Sequence, residues 1–277
     1  MRREYFTIYS IITIILIIAL SAAQAAFAQT VGNLIEPMGL KGPGAARLNH
    51  EEYGYIEINY NADFTLNKDL AGEDPGGSVD IELEGRWHMV SVSYAIAEKF
   101  QPYLSFGIAK LTAKWEENKS EVELESENGT AYGAGIKIRL WDFEDYGIKL
   151  TGSAGVRQAD LDVGSFKVAK VKQQGLSNGR FEMREWFGAL CLSKGFEITE
   201  SGNIKVTPYI GAKYSDSNGR LRTATNLGTY NPGFENNKYN LGLVAGCDMH
   251  IRQALSLNAE AQFIDETSLS FGATALF

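Results

Sequence analysis

Apolar and polar side chains alternate along this chain with a period of two. At 255–263 the odd positions are Leu255, Leu257, Ala259, Ala261 and Phe263, while Ser256, Asn258, Glu260 and Gln262 fill the even ones. At 268–277, Leu269, Phe271, Ala273, Ala275 and Phe277 alternate with Ser268, Ser270, Gly272 and Thr274. Tyr239, Leu241, Leu243, Ala245, Cys247, Met249 and Ile251 keep the same rhythm one segment earlier. A helix needs a period near 3.6, so these segments are strands with one oily and one wet face. Similar runs at 54–64, 79–83, 104–108, 132–140, 146–156 and 204–214, together with 182–194, predict ten strands. In 182–194, Trp186, Phe187, Leu190 and Leu192 do not share one phase. Near His88-Met89-Val90 the phase flips, which predicts a bulge.

The links between these strands alternate in length. Those at 97–101, 142–145, 195–203 and 252–254 are short, whereas 67–78, 116–129, 160–181 and 216–237 are long and rich in Gly, Asn, Asp and Glu. The last link, near Asp265-Glu266, is brief. Beyond the N-terminal segment nothing is apolar for the ~18 residues of a spanning helix. A closed sheet is the other structure that crosses a bilayer, because it leaves no backbone group unpaired. The prediction is therefore an all-β fold: a closed antiparallel transmembrane β-barrel of ten strands, with eight or twelve as neighbouring counts. Short periplasmic turns, long outer loops and both termini on the turn side follow. Aromatic residues near strand ends, such as Tyr60, Tyr132, Trp141, Trp186 and Phe277, fit interfacial girdles. A soluble barrel with an aromatic core is the competing reading; its other face, rich in Gly, Ser and Thr, carries too little bulk to fill an interior.

The N-terminus predicts export. Arg2 and Arg3 precede an apolar run at 11–20 and a small-residue stretch at 21–28, and Ala26-Phe27-Ala28 forms an A-x-A cleavage signal before Gln29. A run of about ten residues is too short to span a bilayer, which disfavours a retained anchor helix. The expected organisation is a signal peptide at 1–28, an irregular leader at 29–52 and a barrel at 53–277, delivered to the bacterial outer membrane through the Sec pathway. Loss of Arg2, Arg3 and Glu4 with the signal peptide moves the net charge from −8 to −9, which disfavours nucleic acid as a partner. Cys191 and Cys247 both sit in apolar strand-like runs and read as small hydrophobes, with a single bridge as the alternative.

With the signal peptide, the closing segment Ser268-Leu-Ser-Phe-Gly-Ala-Thr-Ala-Leu-Phe277 and the strand opening Pro102-Tyr-Leu-Ser-Phe-Gly-Ile, residues 53–277 resemble the Gram-negative outer-membrane β-barrel proteins of the OmpA-like and opacity-type superfamily. These motifs identify an architecture and not an activity. The resemblance implies that Leu269, Phe271, Ala273, Ala275 and Phe277 form a C-terminal assembly signal read by the barrel-assembly machinery, with periplasmic chaperones as partners during biogenesis. The chain departs from OmpA itself in its larger strand count and in ending at the barrel, without a C-terminal peptidoglycan-binding domain.

The polar face supplies the candidate lumen charges: Glu57, Asp80, Glu82, Glu84, Arg86, Lys137, Arg139, Lys149, Arg157, Lys205, Lys213 and Glu260, with Asn59 beside them. Acidic groups gather in the first two strands and basic ones in the fourth, fifth and seventh, so paired networks are expected across the interior. Some acidic positions alternatively lie above the membrane. About ten strands imply a packed or narrow lumen. The segments 115–127 and 166–172 alternate like strands and predict hairpins that extend the barrel, with divalent-cation or lipopolysaccharide contact as a second reading. No catalytic residue, metal site or cofactor is predicted. Asp248-Met-His250 matches the Asp-x-His pair of omptin-type proteases only by accident, lying beside a tight turn, and His88 with Ser91 or Ser93 lacks a third member. The three histidines and two cysteines have no ligand spacing. The expected function is a non-enzymatic outer-membrane barrel in a structural or surface-interaction role, contacting outer-membrane lipids and lipopolysaccharide. A narrow porin for small solutes is the alternative, and a lipid-modifying enzyme or protease a third.

Overall fold

Ten long antiparallel strands pair into a closed ring in the computed structural model, which describes residues 55–74, 77–96, 99–117, 119–172, 177–199, 204–225, 228–230, 233–237, 239–251 and 255–277. The predicted signal peptide, with Ala26, Ala28 and Gln29, and the leader at 29–52 lie outside these residues. The strands are β1 (Tyr55–Asp74), β2 (Gly77–Ala95), β3 (Phe100–Glu117), β4 (Gly129–Phe143) and β5 (Ile148–Val168). Then come β6 (Ser177–Lys194), β7 (Ile204–Thr225), β8 (Leu241–Ile251), β9 (Leu255–Phe263) and β10 (Glu266–Leu276). Each pairs with its sequence neighbour, and β10 returns to β1 with Glu57 opposite Leu276 and Lys68 opposite Glu266. No strand of this ring has a free edge, the arrangement that the ten-segment alternation predicts.

The strands are unequal. β1 has 20 residues and β7 has 22, whereas β9 has 9 and β8 and β10 have 11 each. At ~3.3 Å per residue and a tilt near 40°, β9 climbs about 23 Å and β1 about 50 Å. Two short strands close the sheet above the point where β8, β9 and β10 stop. Ser120–Ser126 pairs with β3 and β5, taking the place of β4. Gly233–Asn237 pairs with both β1 and β7, with Leu70 opposite Asn237 and Gly219 opposite Phe234. The result is a second, upper ring of eight strands that shares β1, β2, β3, β5, β6 and β7 with the lower ring of ten.

Much of what the sequence predicts as long loop is therefore strand. Residues 67–74 continue β1, 160–168 continue β5 and 216–225 continue β7. The hairpin predicted in 115–127 is present, and 166–172 folds back through Ala169 and Lys170, whose positive φ angles of 49° and 66° make the two-residue turn between Val168 and Val171. The short links are tight. Glu144–Tyr146 forms one 3-10 turn, and Gly147 leaves it at φ 61°, a region that favours glycine. Between β9 and β10 only Ile264 and Asp265 intervene.

The predicted bulge at His88-Met89-Val90 is absent: β2 keeps its register with both β1 and β3 through these residues. Inward and outward positions alternate without a break, and the environment changes instead. Ile81, Leu83, Trp87 and Met89 point inward and are buried, as is Ser93 below them. The sheet bulges in β1, where pairing shifts between Thr65 and Lys68, so that Leu66 and Asn67 both face out. Cys191 lies inside and Cys247 alternates with inward Asp248 on the outer face, so no bridge joins them; both are free.

Candidate functional site

The outer surface of the lower ring is a continuous apolar belt. Ile56, Ile58, Val90, Val92, Leu104, Phe106, Leu190, Ile210, Leu241 and Leu243 are all 42–65 % exposed there. Buried serines, threonines and carboxylates occupy the alternating positions inside. Leu269, Phe271, Ala273 and Ala275 share this outer face on β10, between buried Ser268, Ser270 and Thr274, and Phe277 is exposed with its backbone N–H donating to the Ile56 carbonyl. In the upper ring the arrangement reverses. Leu70, Leu83, Leu111, Trp115, Leu124, Leu161, Phe166, Phe181, Met183 and Leu221 pack together inside and are at most 8 % exposed. Charged side chains stand outside.

Between the two compartments a layer of buried charge crosses the interior. Glu185 of β6 accepts hydrogen bonds from Lys68 Nζ of β1 at 2.9 Å and from Arg157 Nε of β5 at 2.5 Å. Lys68 also reaches Glu266 Oε2 of β10 at 3.0 Å. Lys213 of β7 donates to Glu266 Oε1 at 3.1 Å and to Gln262 of β9 at 2.8 Å. Asp63 accepts from Ser270 at 2.6 Å and lies 3.8 Å from Arg157, whose guanidinium covers the Trp87 ring at 4.4 Å. Ser215 donates to Asp265 at 2.6 Å. The layer holds three cations and four carboxylates. β1 and β6 are on opposite sides of a ten-membered ring, so the Lys68–Glu185 bond spans the interior. Charges this deeply withdrawn from water persist only when paired, and here every cation meets a carboxylate.

Below this layer the interior stays polar. Glu57 is buried and accepts from Ser93 and from Gln101. Tyr209 donates to Glu260 at 2.7 Å, Gln262 donates to Glu260 at 2.9 Å, and Asn258 donates to Asp248. Lys137, Arg139, Lys149 and Lys205 are partly buried. Of the predicted lumen charges, Glu57, Arg157, Lys213 and Glu260 are at most 3 % exposed. Glu82, Glu84 and Arg86 are not lumenal: they project outward from β2, above the apolar belt, as does Asp80. The prediction reads them against outward-facing Ile81 and Leu83, which instead fill the upper interior.

The sequence reading passes over Asp63, Lys68, Glu185, Asp265 and Glu266. Lys68 hides behind the β1 bulge and Glu185 in the segment of mixed phase; its two-residue relation to Phe187, Ala189, Cys191 and Ser193 is the signal that finds it, because all of these face inward. His88 and Ser93 stand on opposite faces of the wall, His88 beside Tyr60 outside and Ser93 against Glu57 inside. Asp248 and His250 are both buried in the lower interior. Among the described residues no group of three or more His, Cys, Asp or Glu side chains can hold a metal ion.

No family model matches the chain, and no curated protein does. Among solved structures it is similar to the outer membrane protein OprG from Pseudomonas aeruginosa, at 9 % identity and a TM-score of 0.41 over 82 % of this chain and 97 % of that one. The translocator domain of the autotransporter NalP from Neisseria meningitidis gives 14 % identity and a TM-score of 0.41 over 83 % of this chain and 91 % of that one. The outer membrane protein AlkL gives 12 % and 0.36 over 86 % and 96 %.

Proposed function

We propose that this chain is a bacterial outer-membrane β-barrel whose lower ring spans the bilayer and whose upper ring is a rigid extension outside the cell. Its role is structural or surface-interacting, and its lumen is closed. Three features support the location. The apolar belt girdles the whole lower ring, β9 is about the length a tilted strand needs to cross, and β2–β3, β4–β5, β6–β7 and β8–β9 are all joined at the end away from the upper ring. Export through Sec, insertion by the barrel-assembly machinery through Phe277 and its alternating neighbours, and contact with lipopolysaccharide complete the reading.

One observation carries the closed lumen. The Lys68–Glu185–Arg157 contact joins opposite walls, and the apolar core of the upper ring lies directly over it. A solute crossing from one side to the other has to break the charge layer and pass through a dry core. An eight-stranded ring is filled by its own side chains, as this one is. The test is planar-bilayer recording of the purified, refolded protein. No steady single-channel steps are expected at moderate voltage; reproducible steps would overturn the closed-lumen reading in favour of a narrow porin.

A further inference from the structure

The outward face of β2 and β3 changes character at one register row. On β2 the outward residues run Val92, Val90, His88, Arg86, and on β3 Leu104, Phe106, Ile108, Lys110. His88 stands opposite Ile108 and Arg86 opposite Lys110, so both strands pass from apolar to cationic at the same height. Arg86 and Lys110 are thus side by side on one surface. Like charges placed directly opposite across a strand pair repel each other. Lys110 meets Glu125 at 2.5 Å, and Arg86 makes no ion pair among the described residues. Just beneath, Tyr60 Oη lies 2.9 Å from His88 Nδ1, and Phe64, opposite Arg86 on β1, makes an edge contact with the same imidazole. Aromatic side chains therefore lie beneath and beside two neighbouring cations at the upper rim of the apolar belt.

We propose that Arg86 and Lys110 bind a phosphate of an outer-leaflet phosphorylated glycolipid, a lipopolysaccharide, with its acyl chains lying over Val90, Phe106 and Ile108. The proposal rests on the outer-membrane reading above. A guanidinium offers two parallel donors to a phosphate and the ammonium a compact point charge, and an anion between them removes their repulsion. At this row Arg86 and Lys110 against Glu125 leave one positive charge, while Glu82 and Glu84 stand with Lys114 in the wall above. Above them the wall continues for several residues as a polar ladder in which Lys114 pairs with Glu84 and Lys167 with Glu123 at 2.8 Å. A glycolipid has sugars to lay against such a wall, whereas the headgroup of a simple phospholipid ends near its phosphate.

The experiment uses the full chain purified in detergent and incubated with rough lipopolysaccharide, its dephosphorylated form, phosphatidylglycerol or inorganic phosphate, with retained adducts read by native mass spectrometry. Wild type should retain the phosphorylated lipopolysaccharide at least tenfold better than the Arg86→Gln/Lys110→Gln double variant and better than it retains the other three. Arg86→Lys should keep most of the binding, and Arg184→Gln, on the far wall, all of it. Equal retention by wild type and the double variant, equal binding of the dephosphorylated form, or full competition by inorganic phosphate overturns the site. Vesicle flotation of the same preparations separates this outcome from failure of the membrane reading: a chain that does not float is no barrel of the bilayer, while one that floats without selectivity lacks only the lipid site.

Discussion

The lower and upper rings share six long strands and set apolar side chains on opposite sides of the wall. In the lower ring Leu104, Phe106 and Ile108 of β3 face outward; three residues beyond Ile108, Leu111 and then Ala113 and Trp115 of the same strand face inward. Backbone pairing continues through the change, so the reversal comes from chemistry and not from geometry. A closed sheet in a bilayer needs its apolar side chains outside, where the solvent is hydrocarbon, whereas one in water needs them inside. Each of the six shared strands carries both patterns, and under the proposed outer-membrane reading the switch between them marks the membrane boundary. At that boundary sits the charge layer, buried beneath a dry core and above a polar interior.

Breaking the layer between the rings should have the largest effect. Glu185→Gln leaves Lys68 and Arg157 facing a neutral amide while both remain buried, and removal of one partner from a buried pair typically costs about 3–5 kcal/mol. Denaturant unfolding in detergent micelles checks it. The double variant Lys68→Met/Glu185→Gln should recover part of the loss, since one stranded cation goes with the carboxylate. Full additivity of the two substitutions would mean that the ion pair does not couple the opposite walls.

This contrast also explains what the sequence discloses. In β8, β9 and β10, which do not rise above the belt, alternation at 239–277 maps directly onto outside and inside, and the ten-strand ring follows from it. In β2 the inward positions are Ile81, Leu83, Trp87 and Met89 above and Ser91 and Ser93 below. Period alone gives the parity of a face but not the solvent it meets, so the change at His88 looks like a bulge, and Glu82, Glu84 and Arg86 look lumenal. The true bulge at Leu66–Asn67 is hidden for the complementary reason: it shifts parity where the environment also shifts, and Lys68 falls into what reads as a polar loop. The short strand Gly233–Asn237 carries almost no alternation, because its place is fixed by the gap that β8, β9 and β10 leave between β1 and β7.

A sharper test compares two positions on one face of one strand. Phe106 and Thr112 both point outward from β3, three alternate positions apart, Phe106 within the belt and Thr112 above it. Phe106→Arg should cost about 2–4 kcal/mol, the range for arginine on the lipid face near the bilayer middle. Thr112→Arg should stay within about 0.5 kcal/mol, as for other surface substitutions. Folding free energies measured in lipid vesicles decide it, and similar costs at the two sites would place the boundary elsewhere or remove it.

The smallest expected effect lies on the outer wall of the upper ring, where charges meet water. Glu125, on the strand Ser120–Ser126, accepts a hydrogen bond from Lys110, and this bond holds its carboxyl below the ordinary carboxylate range against the opposing effect of partial burial. A carboxylate whose folded value is depressed adds stability that is fully present above its unfolded value, near 4.3, and that fades as the pH falls through the folded value. Exposure and salt screen the pair, so Glu125→Gln should lower stability by only about 0.2–1 kcal/mol at neutral pH and by nothing measurable once the medium is acidic enough to protonate the wild-type group. Unfolding midpoints of the two proteins between pH 7 and pH 3 should therefore converge on the acid side and lie closer together in high salt throughout. A gap that widens on acidification would mean that Glu125 acts in the upper ring through packing, as the apolar residues beneath it do, and not through its charge.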